Sequence, residues 1–234
     1  MFAQVFADFD DRVREVDLYF QVLSALDNDE VAIIKGTGPQ QVAEGAPPSD
    51  WGRMLKGAAY LVLYNLVEAF IRRGFQTVFD AIQNDGLCGV ELTELLRAQW
   101  VMQKNKVVKA FDGSPKVYMG IANEIVNEII GKQTAALVHN HLPISGNLDA
   151  AIIRQVCDLH GVGHQTPPAA KGGISLETVK IKRNALAHGN ESFVQCGQFL
   201  TAATLVVEKN ELVIYIRSIL QNLEQFAIAK SYKI

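Results

Sequence analysis

The chain has 234 residues, of which 49% are hydrophobic and 20% charged, with a formal net charge of −3 at pH 7. That balance excludes a disordered chain and leaves enough apolar surface for a real core. It also excludes a generally basic nucleic-acid coat, so any contact with nucleic acid has to be local.

The predicted elements are helices joined by Gly/Pro loops. Phe9, Val13, Val16, Phe20 and Leu23 step by four and three, which predicts a helix from about Asp8 to Leu26. Lys35 to Asp50 carries three Gly and three Pro and reads as an exposed loop. Trp51 to Ile82 reads as one long helix with Leu55, Ala59, Val62, Leu66 and Phe70 on its buried face. Its apolar residues extend well round the cylinder, as expected of a central helix. Its most apolar stretch, Ala58 to Ile71, is interrupted by Asn65 and Glu68, so no membrane span is expected there.

Helical segments follow at Glu91 to Lys104 and Lys116 to Ile130. Asn147 is taken as the N-cap of a helix running through His160, with Asp149 in its first turn. Gly161 to Gly173 reads as a second loop. Ser175 is expected to cap a short helix that stops at Gly189. Thr201 to Lys230 is the last helix. Val31 to Ile34 and Leu205 to Val207 are the only short β-like runs, and both also suit helix. The expectation is an all-α bundle, residues 1–234 as a single domain, with a long central and a long C-terminal helix. The start, MFAQVFADFDD, has no basic leader, and Cys88, Cys157 and Cys196 form neither a ligand pattern nor a disulfide framework. Both features suit a reducing cytoplasm.

The informative stretch is SLETVKIKRNALAHGNESF, Ser175 to Phe193. On a helix at about 100° per residue, Leu176, Val179, Leu186 and Ala187 share a face, and Arg183 falls inside it. A guanidinium there is costly unless it meets a partner charge or an interface. Asn184 and His188 are four apart and point together beside it. A histidine ionising near neutrality can act as both general base and general acid.

Arg183, four intervening residues and His188, with Asn184 directly after the Arg, resemble the R-x4-6-H motif of HEPN ribonucleases. Gly189 and the upstream Lys180 and Lys182 also look like that family. So do RVREVDLYFQVLSALD, YLVLYNLVEAFIRRGFQTVFDAI and GNLDAAIIRQVCDLHGV. The resemblance implies a helical bundle that pairs two motifs in a homodimer and cuts RNA without a metal or other cofactor. His188 would move the proton, Arg183 would stabilise charge on phosphorus-bound oxygens, and Asn184 would orient them. Lys180, Lys182, Asn65 and Glu68 would lie at the substrate. The implied setting is a toxin–antitoxin or antiviral defence system, with an antitoxin or defence protein as a possible partner. Members that keep the fold and lose activity give the alternative: an inactive HEPN domain that binds a partner protein or a nucleotide. HEPN toxins silenced by adenylylation carry a tyrosine two residues after the motif His. This chain has Asn190 there, which puts that control in doubt.

Structural readings stand beside these. Arg183 can pair with Glu68 or Glu124, and His188 can serve only as a helix end. Tyr64, Asn65, Glu68 and Arg72 are polar groups in an apolar helix; Glu68 and Arg72 form an i,i+4 pair, and Asn65 or Glu68 lies beside the Arg183 site or is plain helix surface. His139, Asn140 and His141 spell HNH in a loop, without the scaffold that nuclease needs and without further metal ligands. Lys104, Lys106 and Lys109 are a solvated helix face or an RNA-backbone track. Gly36-Thr37-Gly38 lacks the lysine and third glycine of a phosphate loop.

Overall fold

The computed structural model describes residues 1–27, 34–35, 38–39, 48–109, 114–138, 140, 142, 144 and 146–234. It is all-α apart from a two-residue antiparallel pairing of Ile34–Lys35 with Gly38–Pro39. In chain order the helices are α1 (Phe2–Asp27), α2 (Pro48–Asn84), α3 (Glu94–Lys109), α4 (Pro115–Ile130), α5 (Ala150–His160), α6 (Ser175–Ala187), α7 (Phe193–Gly197) and α8 (Ala202–Ile228).

Helix α2 is the axis of the bundle and packs against α1, α6, α7 and α8. Its sequence explains why. Ala59, Tyr60, Leu63, Tyr64, Leu66, Val67, Phe70, Ile71, Phe75, Val78, Phe79 and Ile82 are all buried, a coverage no single-faced helix reaches. By length and composition α2 is apolar enough to cross a membrane, more so than Ala58 to Ile71 suggests. Half of that apolar window is buried inside the bundle, as in a core helix.

Helix α1 fits between α2 and α8. Phe9 meets Phe70 edge-on with centroids 5.0 Å apart. Ion pairs line the seams: Asp10 with Arg217, Asp17 with Lys209, Asp8 with Arg73 and Asp27 with Lys56. Asp27 also accepts from the Ala202 N–H at 2.9 Å, so the end of α1 satisfies an orphan donor at the start of α8.

Several boundaries differ from those expected. Helix α1 starts at Phe2, and α2 extends to Pro48 and Asn84. Gly89–Glu91 is a 3₁₀ turn, and α3 begins only at Glu94, because the Thr93 N–H bonds to the Tyr232 carbonyl and the Glu91 carbonyl accepts from the Ile234 N–H. The N-cap of α5 is Asp149, not Asn147: its carboxylate accepts from the Ile152 N–H at 2.9 Å. Ser175 does not cap α6. Its hydroxyl donates to Glu211 at 2.5 Å, and Ile174 holds the cap position. The expected 161–173 loop contains a 3₁₀ turn at Pro168–Gly173. Leu205 to Val207 is helical, within α8. Residues 31–33 and 36–37 lie outside the described residues.

Candidate functional site

Leu176, Val179 and Leu186 are buried where α6 packs on α2 and α8, so the stripe around Arg183 is used within the chain. Ala187, expected on the buried face, is exposed, and the large apolar side chains exposed along this helix are Ile181 and, just before it, Ile174. At seven-residue spacing these two lie on one line with His188.

The helix stops at His188, whose backbone sits at φ −92°, ψ 0°. Gly189 follows at φ +71°. Its N–H bonds the Leu186 carbonyl at 3.2 Å, and Asn190 N–H bonds Ala185 at 2.9 Å. That left-handed residue is where glycine is favoured, and it turns the chain sharply away. The His188 side chain is thus left exposed at the free end of α6, and its ring makes no hydrogen bond among the described residues.

Arg183 is half-buried. Its Cζ lies 4.5 Å from the centroid of the Tyr64 ring on α2. Its Nη1 donates to the Gly146 carbonyl at 3.3 Å and to Asn184 Oδ1 at 2.9 Å. Asn184 Nδ2 in turn donates to Asn147 Oδ1 at 2.8 Å. Among the described residues no carboxylate pairs with Arg183. Glu68 is taken by Arg72 at 3.0 Å, and Glu124, with Glu128, by Lys104 at 2.7 and 2.5 Å. The guanidinium is therefore anchored at one nitrogen, and Nε and Nη2 have no partner among the described residues. That edge is the planar fork that matches two oxygens of a phosphate.

Tyr64 is buried, and its oxygen accepts from the Leu148 N–H at 3.0 Å. Burial raises the phenol pKa, with the Leu148 N–H opposing and Glu68 assisting, so the ring under Arg183 stays neutral. Glu68 thus borders the site through Tyr64, and Asn65 is exposed beside it on α2. Lys180 is paired with Asp149 at 2.5 Å and Lys182 with Glu191 at 3.0 Å. Both ammonium groups therefore have carboxylates of this chain as neighbours.

The structure brings together Arg183, Asn184, Tyr64 and the Gly146–Leu148 segment. His188 stands at the end of the same helix without touching that cluster through a hydrogen bond. Sequence reasoning missed the contribution of Gly146 and Asn147. No local pattern announces it, because the contact spans 37 positions. Lys104 is consumed by Glu124 and Glu128, whereas the side chains of Lys106 and Lys109, like residues 139 and 141, lie outside those described. Among the described residues no three His, Cys, Asp or Glu side chains are placed to share a metal.

A family model, MAE_28990-like HEPN, matches residues 1–232. The chain belongs to this HEPN family. The match covers the bundle from α1 to the last turn. HEPN domains are often ribonucleases, and the family placement supports a nuclease or nucleotide-binding module. No curated protein and no solved structure matches this HEPN chain.

Proposed function

We propose that this HEPN protein is a metal-independent endoribonuclease of a toxin–antitoxin or antiviral defence system, acting in the cytoplasm. The observation that carries the reading is the state of Arg183. It is a half-buried guanidinium with no carboxylate partner among the described residues, anchored at Nη1 with its Nε–Nη2 edge open. A charge held in that way is set up to receive an anion.

In the proposed reaction the RNA 2′-hydroxyl attacks the adjacent phosphorus. His188 takes its proton and a histidine returns one to the departing 5′-oxygen. Arg183 stabilises the charge that builds on the non-bridging oxygens. Asn184 orients Arg183. The P–O5′ bond breaks, leaving a 2′,3′-cyclic phosphate and a 5′-hydroxyl. One motif supplies a single histidine, whose ring makes no hydrogen bond to the Arg183 cluster, so two copies supply the base and the acid. The line Ile174, Ile181 and His188 on the exposed side of α6 is the proposed two-fold contact. Lys180 and Lys182 reach RNA only by exchanging Asp149 and Glu191 for phosphate, and Asn65 and Glu68 border the substrate from α2. An inactive domain that binds a nucleotide would use the same Arg183 fork, with His188 idle.

The test is cleavage of a mixed RNA in EDTA, with the ends assayed and light scattering for the dimer. Wild type is expected to yield cyclic-phosphate ends and to leave DNA intact. His188→Ala is expected to lose roughly 10²–10⁴-fold in rate, and Arg183→Lys to recover only part of the loss seen with Arg183→Ala. Equal cutting by wild type and His188→Ala overturns the proposal.

A further inference from the structure

Three successive residues ahead of α5 bond to Arg183, Asn184 and Tyr64 in turn. The Gly146 carbonyl accepts from Arg183 Nη1, the Asn147 side chain accepts from Asn184 Nδ2, and the Leu148 N–H donates to the Tyr64 hydroxyl. Gly146 has φ +67°, a conformation L side chains rarely adopt, and a Cβ there would lie 3.5 Å from Arg183 Nη1. The turn thus directs a backbone oxygen at the guanidinium. Asp149, the next residue, is fixed twice over, as N-cap of α5 and as the partner of Lys180. The strap is therefore tied to α5 and α6 on one side and to α2 on the other.

We infer that Asn147 is a positioning residue for Arg183, acting through Asn184, with the buried Tyr64 ring as the platform on which the guanidinium rests. This rests on the reading of Arg183 as the phosphate-binding group. Asn184 Oδ1 can hold Arg183 Nη1 only while its amide plane is fixed. Among the described residues, Asn147 is the group that accepts from the other end of that amide. The Tyr64 ring fixes the plane of the guanidinium, and the strap fixes its rotation within that plane. Together they aim the Nε–Nη2 edge in one direction. A fork aimed in advance loses no orientation when charge develops on the phosphate, so the gain belongs to the transition state more than to binding.

The experiment uses full-length protein with Asn147→Ala, Tyr64→Phe and Tyr64→Leu, each checked by thermal melting. Two readouts are taken: steady-state RNA cleavage, and arginine side-chain NMR of Arg183 on isotope-labelled protein. In wild type the Tyr64 ring current shifts the Arg183 resonances, and the pinned Nη1 slows rotation about Nε–Cζ. Asn147→Ala is expected to speed that rotation and to lower kcat by roughly 10–100-fold with KM nearly unchanged, the signature of lost aim rather than lost affinity. Tyr64→Phe keeps the ring and is expected to keep the ring-current shift and most of kcat, whereas Tyr64→Leu loses both. If Asn147→Ala leaves the Arg183 rotation and kcat as in wild type, the inference is wrong. A loss of activity that only tracks a loss of folded protein also overturns it. If wild type cuts no RNA, the ribonuclease reading falls on its own. The NMR comparison then still decides whether Asn147 and Tyr64 hold Arg183.

Discussion

Replacing Gly197 by Ala tests how closely α7 lies on α2. A Cβ on Gly197 would sit 1.8 Å from the Arg53 carbonyl oxygen and 2.7 Å from its carbon. Real Cβ contacts essentially never fall under 3.0 Å, so the oxygen contact alone demands a retreat of at least 1.2 Å (3.0 less 1.8). The obstacle is backbone on a helix packed on four others, so no rotamer change relieves it. Overpacking of this kind costs about 1–3 kcal/mol, and a rigid neighbour places it at the upper end. The ordinary helix gain of Ala over Gly, about 0.5–1 kcal/mol, offsets only part. The expected net loss is about 2 kcal/mol, or roughly 4–8 °C in melting temperature for a domain of this length. Gly52, on the same α2, has nothing within 4 Å of its would-be Cβ. Gly52→Ala is therefore expected to raise the melting temperature by about 1–4 °C. Calorimetric melts of the two single variants give the contrast. A Gly197→Ala protein that melts at or above wild type would falsify the close approach of α7 to α2.

Two other outcomes are expected. Burial holds the His160 imidazole pKa below its ordinary value, its Nδ1–H bonded to the Val156 carbonyl at 2.7 Å and its Nε2 without a partner between Phe75 and Phe79. The stability this neutral ring confers is present above about pH 6.5 and lost as pH falls through that value towards the folded pKa. Denaturant unfolding of wild type between pH 7 and 5 should show this loss, up to about 1.4 kcal/mol per pH unit, and His160→Leu should show a flatter profile. Lys180→Met with Lys182→Met is expected to lower the melting temperature by removing the pairs with Asp149 and Glu191. It is also expected to make the salt dependence of RNA binding shallower, since both lysines exchange those partners for phosphate; an unchanged slope would show that they stay paired within the chain.

The long helices were legible because each must bury a face, and that face repeats at the helical period. Phe9, Val16, Phe20 and Leu23 of α1, and Leu205, Leu212, Ile216, Ile219 and Leu223 of α8, are buried as their spacing requires. Helix α7 was not anticipated, since five residues are too few to show a period. Its one local signal is the capping box of Ser192 with Gln195. The N-cap of α5 was misplaced because Asn147 and Asp149 are both good caps. What separates them is tertiary: Asn147 is drawn to Asn184, leaving Asp149 for Ile152. Arg183, Asn184 and His188 could be seen together because they are neighbours on one helix. Tyr64 and Gly146 could not be placed with them, because only the folding of α2, α5 and α6 against one another brings them to Arg183.

The seam between α1 and α8 also sets an order in time. Phe9 and Phe20, on the N-terminal helix, are covered partly by α8, whose Arg217 and Lys209 lie over their rings. Between the end of α2 and the end of α8 the ribosome must add 144 residues (228 less 84). At ordinary elongation rates that takes on the order of ten seconds, during which the α1–α2 pair waits with an aromatic flank open. Arg183 likewise finds Tyr64 only after another 119 residues (183 less 64) have followed it. The proposed anion-binding fork thus cannot exist until α6 has been made.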